Sequence, residues 1–290
     1  MGRVAIVTDS NSGITQRAAE ELGVFVLPMP FRIDNKDYYE DINITQEEFY
    51  TLIEAGGEVT TSQPSPAEVQ ALWDRLLEDH DQIVHIPMSS GLSGSCQSAG
   101  MLAESYDGKV EVVDNQRISV TLRRSCIDAL ELAAGGMNAA QIKAELERTG
   151  LDTSIYIMLD TLSYLKRGGR ITPAAAAIGS LLKIKPVLQI QGEKLDAFAK
   201  ARTSAQGKKM MIQAIRNDIE RRFGGLDVHD VDIDMAYTRH EDMLLEFREE
   251  VAEAFPWAGE IHYDPLSLSV GCHIGPGAIA VTVTKRNHFS

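Results

Sequence analysis

The chain has 290 residues, Lys+Arg 28 against Asp+Glu 42, and a formal net charge of −14. That length predicts roughly two domains, and 44% hydrophobic with 24% charged residues suits a soluble globular protein. The acidity argues against a general nucleic-acid binder, because phosphate backbones are gripped by clustered Lys and Arg, and against wholesale attraction to an anionic membrane.

The first elements alternate strand and helix. Val4–Thr8 is short, apolar and partly β-branched, which predicts a fully buried strand. A polar turn from Asp9 to Gly13 follows, then a helix over Ile14–Leu22, a strand over Val24–Met29 and an irregular hairpin over Phe31–Ile44. Thr45 with Glu48, and Ser65 with Glu68, each have capping-box spacing, and Pro66 takes the first helical position of the second. Val69, Leu72, Trp73, Leu76 and Leu77 then share one helical face. Strand Gln82–Met88, a Ser/Gly loop, helix Cys96–Ser105, strand Val110–Val113 and helices Ile118–Ala134 and Ala139–Arg148 complete this half. Such alternation predicts right-handed crossovers and a mostly parallel sheet over 1–150.

The pattern changes over 151–290. Ser154–Leu159 reads as a strand, and Thr161–Arg167 as a helix stopped at Gly168-Gly169. A helix opening at Thr172-Pro173 runs into the alanine run. Strands Lys185–Gln191 and Lys194–Ala199 flank Gly192-Glu193, the signature of a tight hairpin. Helix Ser204–Phe223, strand Val231–Tyr237, helix Glu241–Phe255 and strands Glu260–Tyr263 and Ala278–Thr284 follow. This half reads as an α+β domain with a largely antiparallel sheet.

Cys96, Cys126 and Cys272 form no CxxC pair, so they read as packed thiols in a reducing cytoplasm. Val4–Val7 is too short for a signal peptide, and no apolar run reaches the 18 residues of a membrane span.

Ser89-Ser90-Gly91-Leu92-Ser93-Gly94-Ser95 leaves a strand and enters a helix, the edge at which open α/β sheets bind ligands. Its glycines admit close backbone approach, and the helix start offers unpaired N–H groups to a carboxylate or phosphate. A nucleophile elbow would need Gly-x-Ser-x-Gly, and the final glycine is missing around Ser93. A serine esterase or thioesterase using Ser93 with His273, or a phosphate-ligand module on the same loop, are two readings this loop leaves open. Thr60–Pro66 is a second hydroxyl-rich loop, read otherwise as a lead-in to its capping box. Asp9 and Asp114 end strands and suit turn and cap roles better than a metal, because nothing nearby completes a ligand set. His273 lies between glycines, where a lone His is more often a structural donor. No Walker-type phosphate loop is present.

From Lys166 to Lys209 ten basic residues face only Glu193 and Asp196, a local charge of +8 that leaves −22 for the rest. Such segregation favours a docking surface over an ordinary solvated face.

The chain resembles the DegV family, including the FakB fatty-acid-binding proteins. The resemblance rests on Val7-Thr8-Asp9-Ser10, Thr61-Ser62-Gln63-Pro64, Ser89 to Ala99, Val112-Val113-Asp114, Leu165 to Ile171, Ile184 to Leu188 and His273 to Gly277, in family order along nearly the whole chain. It implies two α/β domains with a ligand tunnel between them. It also implies a long-chain fatty acid whose carboxylate is held by Thr61, Ser62, Ser93, Gly94 and His273. Arg170 and Arg202 match positions tied to partner docking or the headgroup network. The resemblance further implies no catalytic residue, metal or cofactor of its own, and a FakA-type kinase that converts the bound acid to acyl-phosphate. Transient contact with an anionic membrane would fit the basic segment. One departure is the segment after Asp114, where Asn115 and Thr121-Leu122-Arg123-Arg124 lack the glycine expected there.

Overall fold

The computed structural model describes residues 2–178, 184–192, 194–225 and 230–287. Gly179 to Lys183 and Glu193, which the sequence places in the alanine-run helix, the basic segment and the hairpin turn, lie outside the described residues. The chain divides into two units. The first runs to Leu151 and takes in Ser267–Ser269; the second holds Asp152–Leu266 and Val270–Asn287.

In the first unit the strands are β1 (Val4–Asp9), β2 (Phe25–Leu27), β3 (Pro30–Ile33), β4 (Lys36–Tyr39), β5 (Val59–Thr61), β6 (Gln82–Ile86) and β7 (Val110–Val112). Its helices are α1 (Gln16–Leu22), α2 (Gln46–Glu54), α3 (Pro66–Leu76), α4 (Ser95–Ala103), α5 (Val120–Ala134) and α6 (Ala139–Arg148). The main sheet has the order β2-β1-β6-β7, and every pair is parallel. Ala5 and Val7 of β1 join Val69, Trp73 and Leu76 of α3 in one core. α5 and α6 also lie against this sheet. Burial on both faces is why β1 and β6 read as nearly unbroken apolar runs. Trp73 is fully buried, which hides on the order of 200 Å² and is worth about 5 kcal/mol of transfer free energy.

Both capping boxes form: Thr45 and Ser65 accept from the backbone of Glu48 and Glu68, whose carboxylates reach back. The hairpin is a separate antiparallel sheet, β4-β3-β5. Asp34 and Asn35 turn it at φ 48° and 66°, the left-handed conformations that a two-residue hairpin demands. Thr60 and Thr61, expected in a loop, are in β5, with Thr61 opposite Phe31.

The second unit holds β8 (Thr153–Met158), α7 (Ser163–Gly168), α8 (Pro173–Ile178), β9 (Lys185–Ile190), β10 (Asp196–Ala201), α9 (Ser204–Arg221), β11 (Val231–Tyr237), α10 (Glu241–Ala254), β12 (His262–Pro265) and β13 (Ile279–Lys285). α11 (Leu268–Ile274) begins among residues grouped with the first unit. The sheet order is β10-β9-β8-β13-β11-β12, antiparallel except for the parallel pair β11 and β12. Met211, Ile215 and Ile219 of α9 and Leu244, Phe247 and Val251 of α10 recur at helical spacing and close over Val281, Ile233 and Met235. The sequence reading missed α11, because its Ser and Gly residues resemble a loop.

Candidate functional site

The first unit gathers its polar residues at the carboxyl edge of the parallel sheet. Asp9, the last residue of β1, is buried. Its carboxylate accepts from Met88 N at 2.8 Å and from Asn11 N at 2.9 Å. Burial outweighs these bonds and pushes its pKa up to about 6. Asp9 thus pins the residue from which the Ser/Gly loop departs. Ser89 then winds the loop: its carbonyl accepts from Leu92 and Ser93 at 3.0 and 3.1 Å, and its hydroxyl from Gly91 N at 3.3 Å. Asp114 holds Ser90 N at 3.3 Å. Asp9 thus caps the short turn Ser10–Ser12, whereas Asp114 bridges to a loop 24 positions away; among the described residues no three metal-binding side chains gather.

Ser93 is half-buried and Gly94 exposed. Ser93 Oγ accepts from Ser95 N at 3.2 Å at the start of α4. Its partner is therefore a backbone amide. Thr61 ends β5, and Ser62 N donates to Pro30 O at 3.3 Å. Gln63 then joins the two loops. Its Nε2 donates to Ser98 Oγ at 2.8 Å, and a Cβ on Gly94 would stand 3.1 Å from its Oε1. Gln63, next in the chain to Thr61 and Ser62, thus lies against Gly94 and α4, where Ser93 caps the helix start.

In the second unit His273 falls in the last turn of α11. Burial, then the nearby Arg170 charge, lowers its pKa to about 4, so the ring is neutral at physiological pH. Arg170 donates to Gly168 O. Lys185 Nζ pairs with Asp160 Oδ1 at 2.5 Å. The exposed Arg202 follows β10 with its amide donating to Gln206 Oε1 at 2.8 Å. Among the described residues no hydrogen bond or ion pair joins Arg202 to Arg170 or His273.

The basic segment is less uniform than its count. Lys166, Arg167, Lys194, Lys200 and Lys209 are exposed. Lys208, by contrast, is 8% exposed and pairs with Glu250 at 2.9 Å. Helical spacing placed Lys208 on the inner face of α9, so it belongs to the packing and not to a docking face.

Three polar residues escaped the sequence reading, two of them buried and one, Glu40, half-buried. Arg117 is 1% exposed and donates to Thr149 O at 2.7 Å and Gly150 O at 3.1 Å, while its own carbonyl accepts from Ser89 N at 2.9 Å. It supports the loop behind β7. Glu40 accepts from Leu268 N at 2.9 Å, and burial pushes its pKa up to about 7. His85 lies fully buried with its ring edge-on to Trp73, and burial lowers its pKa to about 4. None carries a local motif; Arg117 alone had a hint, a cation just after a buried strand.

A family model described as the DegV family of uncharacterised proteins matches residues 3–286. A DegV domain-containing protein of Streptomyces coelicolor is 30% identical over 284 residues, covering 98% of this chain and 99% of its own. Among solved structures, a DegV family protein from Thermus thermophilus described by its fatty-acid binding aligns with TM-score 0.89 and 31% identity, over 98% of this chain and 100% of that one. The Bacillus subtilis DegV, described as a fatty-acid-binding protein, aligns with TM-score 0.85 and 28% identity, over 99% and 100%.

Proposed function

The chain belongs to the DegV family, and from that premise we propose that it binds a long-chain fatty acid and presents the carboxylate to a partner fatty acid kinase of the FakA type. The observation that carries this reading is the match over the whole chain, at TM-score 0.89, to a protein characterised by fatty-acid binding. The polar neighbourhood of the first unit supports it. Thr61, Ser62, Ser93 and Gly94 are assigned to the carboxylate, and His273 with Arg170 to the same headgroup network.

The physical chemistry divides the work. About 15 buried methylenes at about 0.8 kcal/mol each contribute roughly 12 kcal/mol before ordering costs, so the tail supplies most of the affinity. The carboxylate needs hydrogen bonds to leave water. Neutral hydroxyl and amide donors meet that need and leave one oxygen able to form the bond to a transferred phosphoryl group. A bidentate arginine would hold both oxygens. Transfer itself depends on positioning and charge neutralisation, which the kinase supplies. The protein is thus a carrier rather than the catalyst. We assign it to the cytoplasm, in keeping with three buried free cysteines. No described helix is long and apolar enough to cross a membrane. The exposed cations Lys166, Arg167 and Arg202 are assigned to transient contact with the kinase or an anionic membrane.

Native mass spectrometry of gently purified protein tests the binding. A stoichiometric fatty acid, retained on purification or taken up when supplied, is expected; its absence in both cases sinks the proposal. With kinase and ATP present, Ser93→Ala and Thr61→Val should depress acyl-phosphate formation at least tenfold, about 1.4 kcal/mol, while the tail keeps most of the binding. Unchanged turnover in both variants removes them from the site.

A further inference from the structure

In the second unit the segment from Asp160 to Gly168 interlocks with His273 to Gly277. A Cβ on Gly168 would fall closer than 3.0 Å to His273 Nδ1, and one on Gly275 closer than 3.0 Å to the Tyr164 ring. One on Gly277 would stand 2.6 Å from Asp160 Oδ2. The pairing runs in reverse order, with 160, 164 and 168 meeting 277, 275 and 273. Tyr164 and Gly168 are one turn apart in α7 and therefore share a face.

Two of these glycines have a backbone reason to be glycine: Gly275 and Gly277 adopt φ of 75° and 81°. Gly168 has none, because it ends α7 without a positive φ. At such a position alanine is the better helix former, by about 1 kcal/mol. What excludes a side chain at 168 is the imidazole of His273.

We propose that Gly168 is the positioning residue of His273, its bare backbone setting the depth and plane of the imidazole. The headgroup role of that imidazole rests on the function proposed above; the positioning does not. Arg170 stands beside the same ring and donates to Gly168 O. Arg167 stacks over Tyr164 at 4.9 Å. A methyl at 168 therefore has to displace the ring from the buried setting that lowers its basicity.

Imidazole NMR titration of the full-length protein tests this, with Gly169→Ala as the control. Gly169 has φ +68° and open space around its Cβ, so alanine there strains the backbone without meeting the ring. Gly168→Ala should raise the His273 midpoint by about one unit or more, and Gly169→Ala should leave it in place. An unmoved midpoint in folded Gly168→Ala overturns the proposal. Denaturant midpoints provide a second route. The cost of Gly168→Ala should largely vanish in a His273→Ala background, because the clash has gone. A double variant as destabilised as the single, or as unable to fold, overturns it as well. Fatty-acid retention on the same samples separates the two ideas: a moved midpoint in a protein that binds no lipid keeps the positioning and sinks the carrier reading, and bound lipid with an unmoved midpoint does the reverse.

Discussion

The two units place their candidate residues by opposite means. The first unit grips backbone amides with side chains: Asp9 holds Met88 and Asn11, Asp114 holds Ser90, and Ser93 holds Ser95. The second unit removes side chains, so that backbone at Gly168, Gly275 and Gly277 lies directly against His273, Tyr164 and Asp160. A parallel sheet delivers all its loops to one edge, where short polar side chains can organise them. An antiparallel sheet offers no such edge, and the shape of the Asp160–Gly168 and His273–Gly277 segments comes from close packing.

That contrast can be broken experimentally. The largest effect is expected at Arg117, whose removal leaves the carbonyls of Thr149 and Gly150 without their donor and opens a cavity. Arg117→Ala should cost about 3 kcal/mol or more in denaturant unfolding. His85 comes next. It is neutral when folded, with a pKa lowered to about 4 from 6.5. Its contribution is therefore complete above pH 6.5 and is lost as pH falls toward 4, at up to about 1.4 kcal/mol per pH unit. Asp9, raised from 3.8 to about 6, acts in the opposite sense and loses stability as pH rises through that window. Only the difference between His85→Phe and the parent isolates the histidine, and it should be flat above pH 6.5 and climb in favour of the variant below it. Gly277→Ala meets both a positive φ and Asp160, and should cost about 2 kcal/mol. Gly94→Ala faces only the flexible end of Gln63 at 3.1 Å and should change stability by less than about 0.5 kcal/mol. Equal costs at Gly277 and Gly94 would erase the distinction between the units.

Legibility in the sequence follows the same division. The parallel half announces itself through buried strands and two capping boxes, because those signals are local in the chain. The strand-to-helix loop that carries Ser93 and Gly94 is legible for the same reason. Three things are not: α11, whose helix is imposed on a Ser- and Gly-bearing stretch; Lys208, whose partner Glu250 lies 42 positions away; and the pairing of Gly168 with His273. Each is decided by contacts between distant segments, which neither periodicity nor motif spacing encodes. Gly168-Gly169 reads in the sequence as a helix stop, and the role of Gly168, Gly275 and Gly277 as contact surfaces appears only once the segments are side by side.

The short stretch Ser267–Ser269 has a consequence for how the protein is made. Its hydroxyls donate to Asn11 Oδ1, from Ser267 at 2.7 Å and also from Ser269, and Leu268 N donates to Glu40. These partners lie near the beginning of the chain. A domain usually folds as it leaves the ribosome, N-terminal first. Here the first unit stays unfinished until residue 269 has been translated, and a fragment cut at Leu151 would release Asn11 and Glu40 from these bonds. The natural boundary of this unit is thus not a single point in the sequence, and an expression fragment of it should carry the 267–269 stretch as a graft.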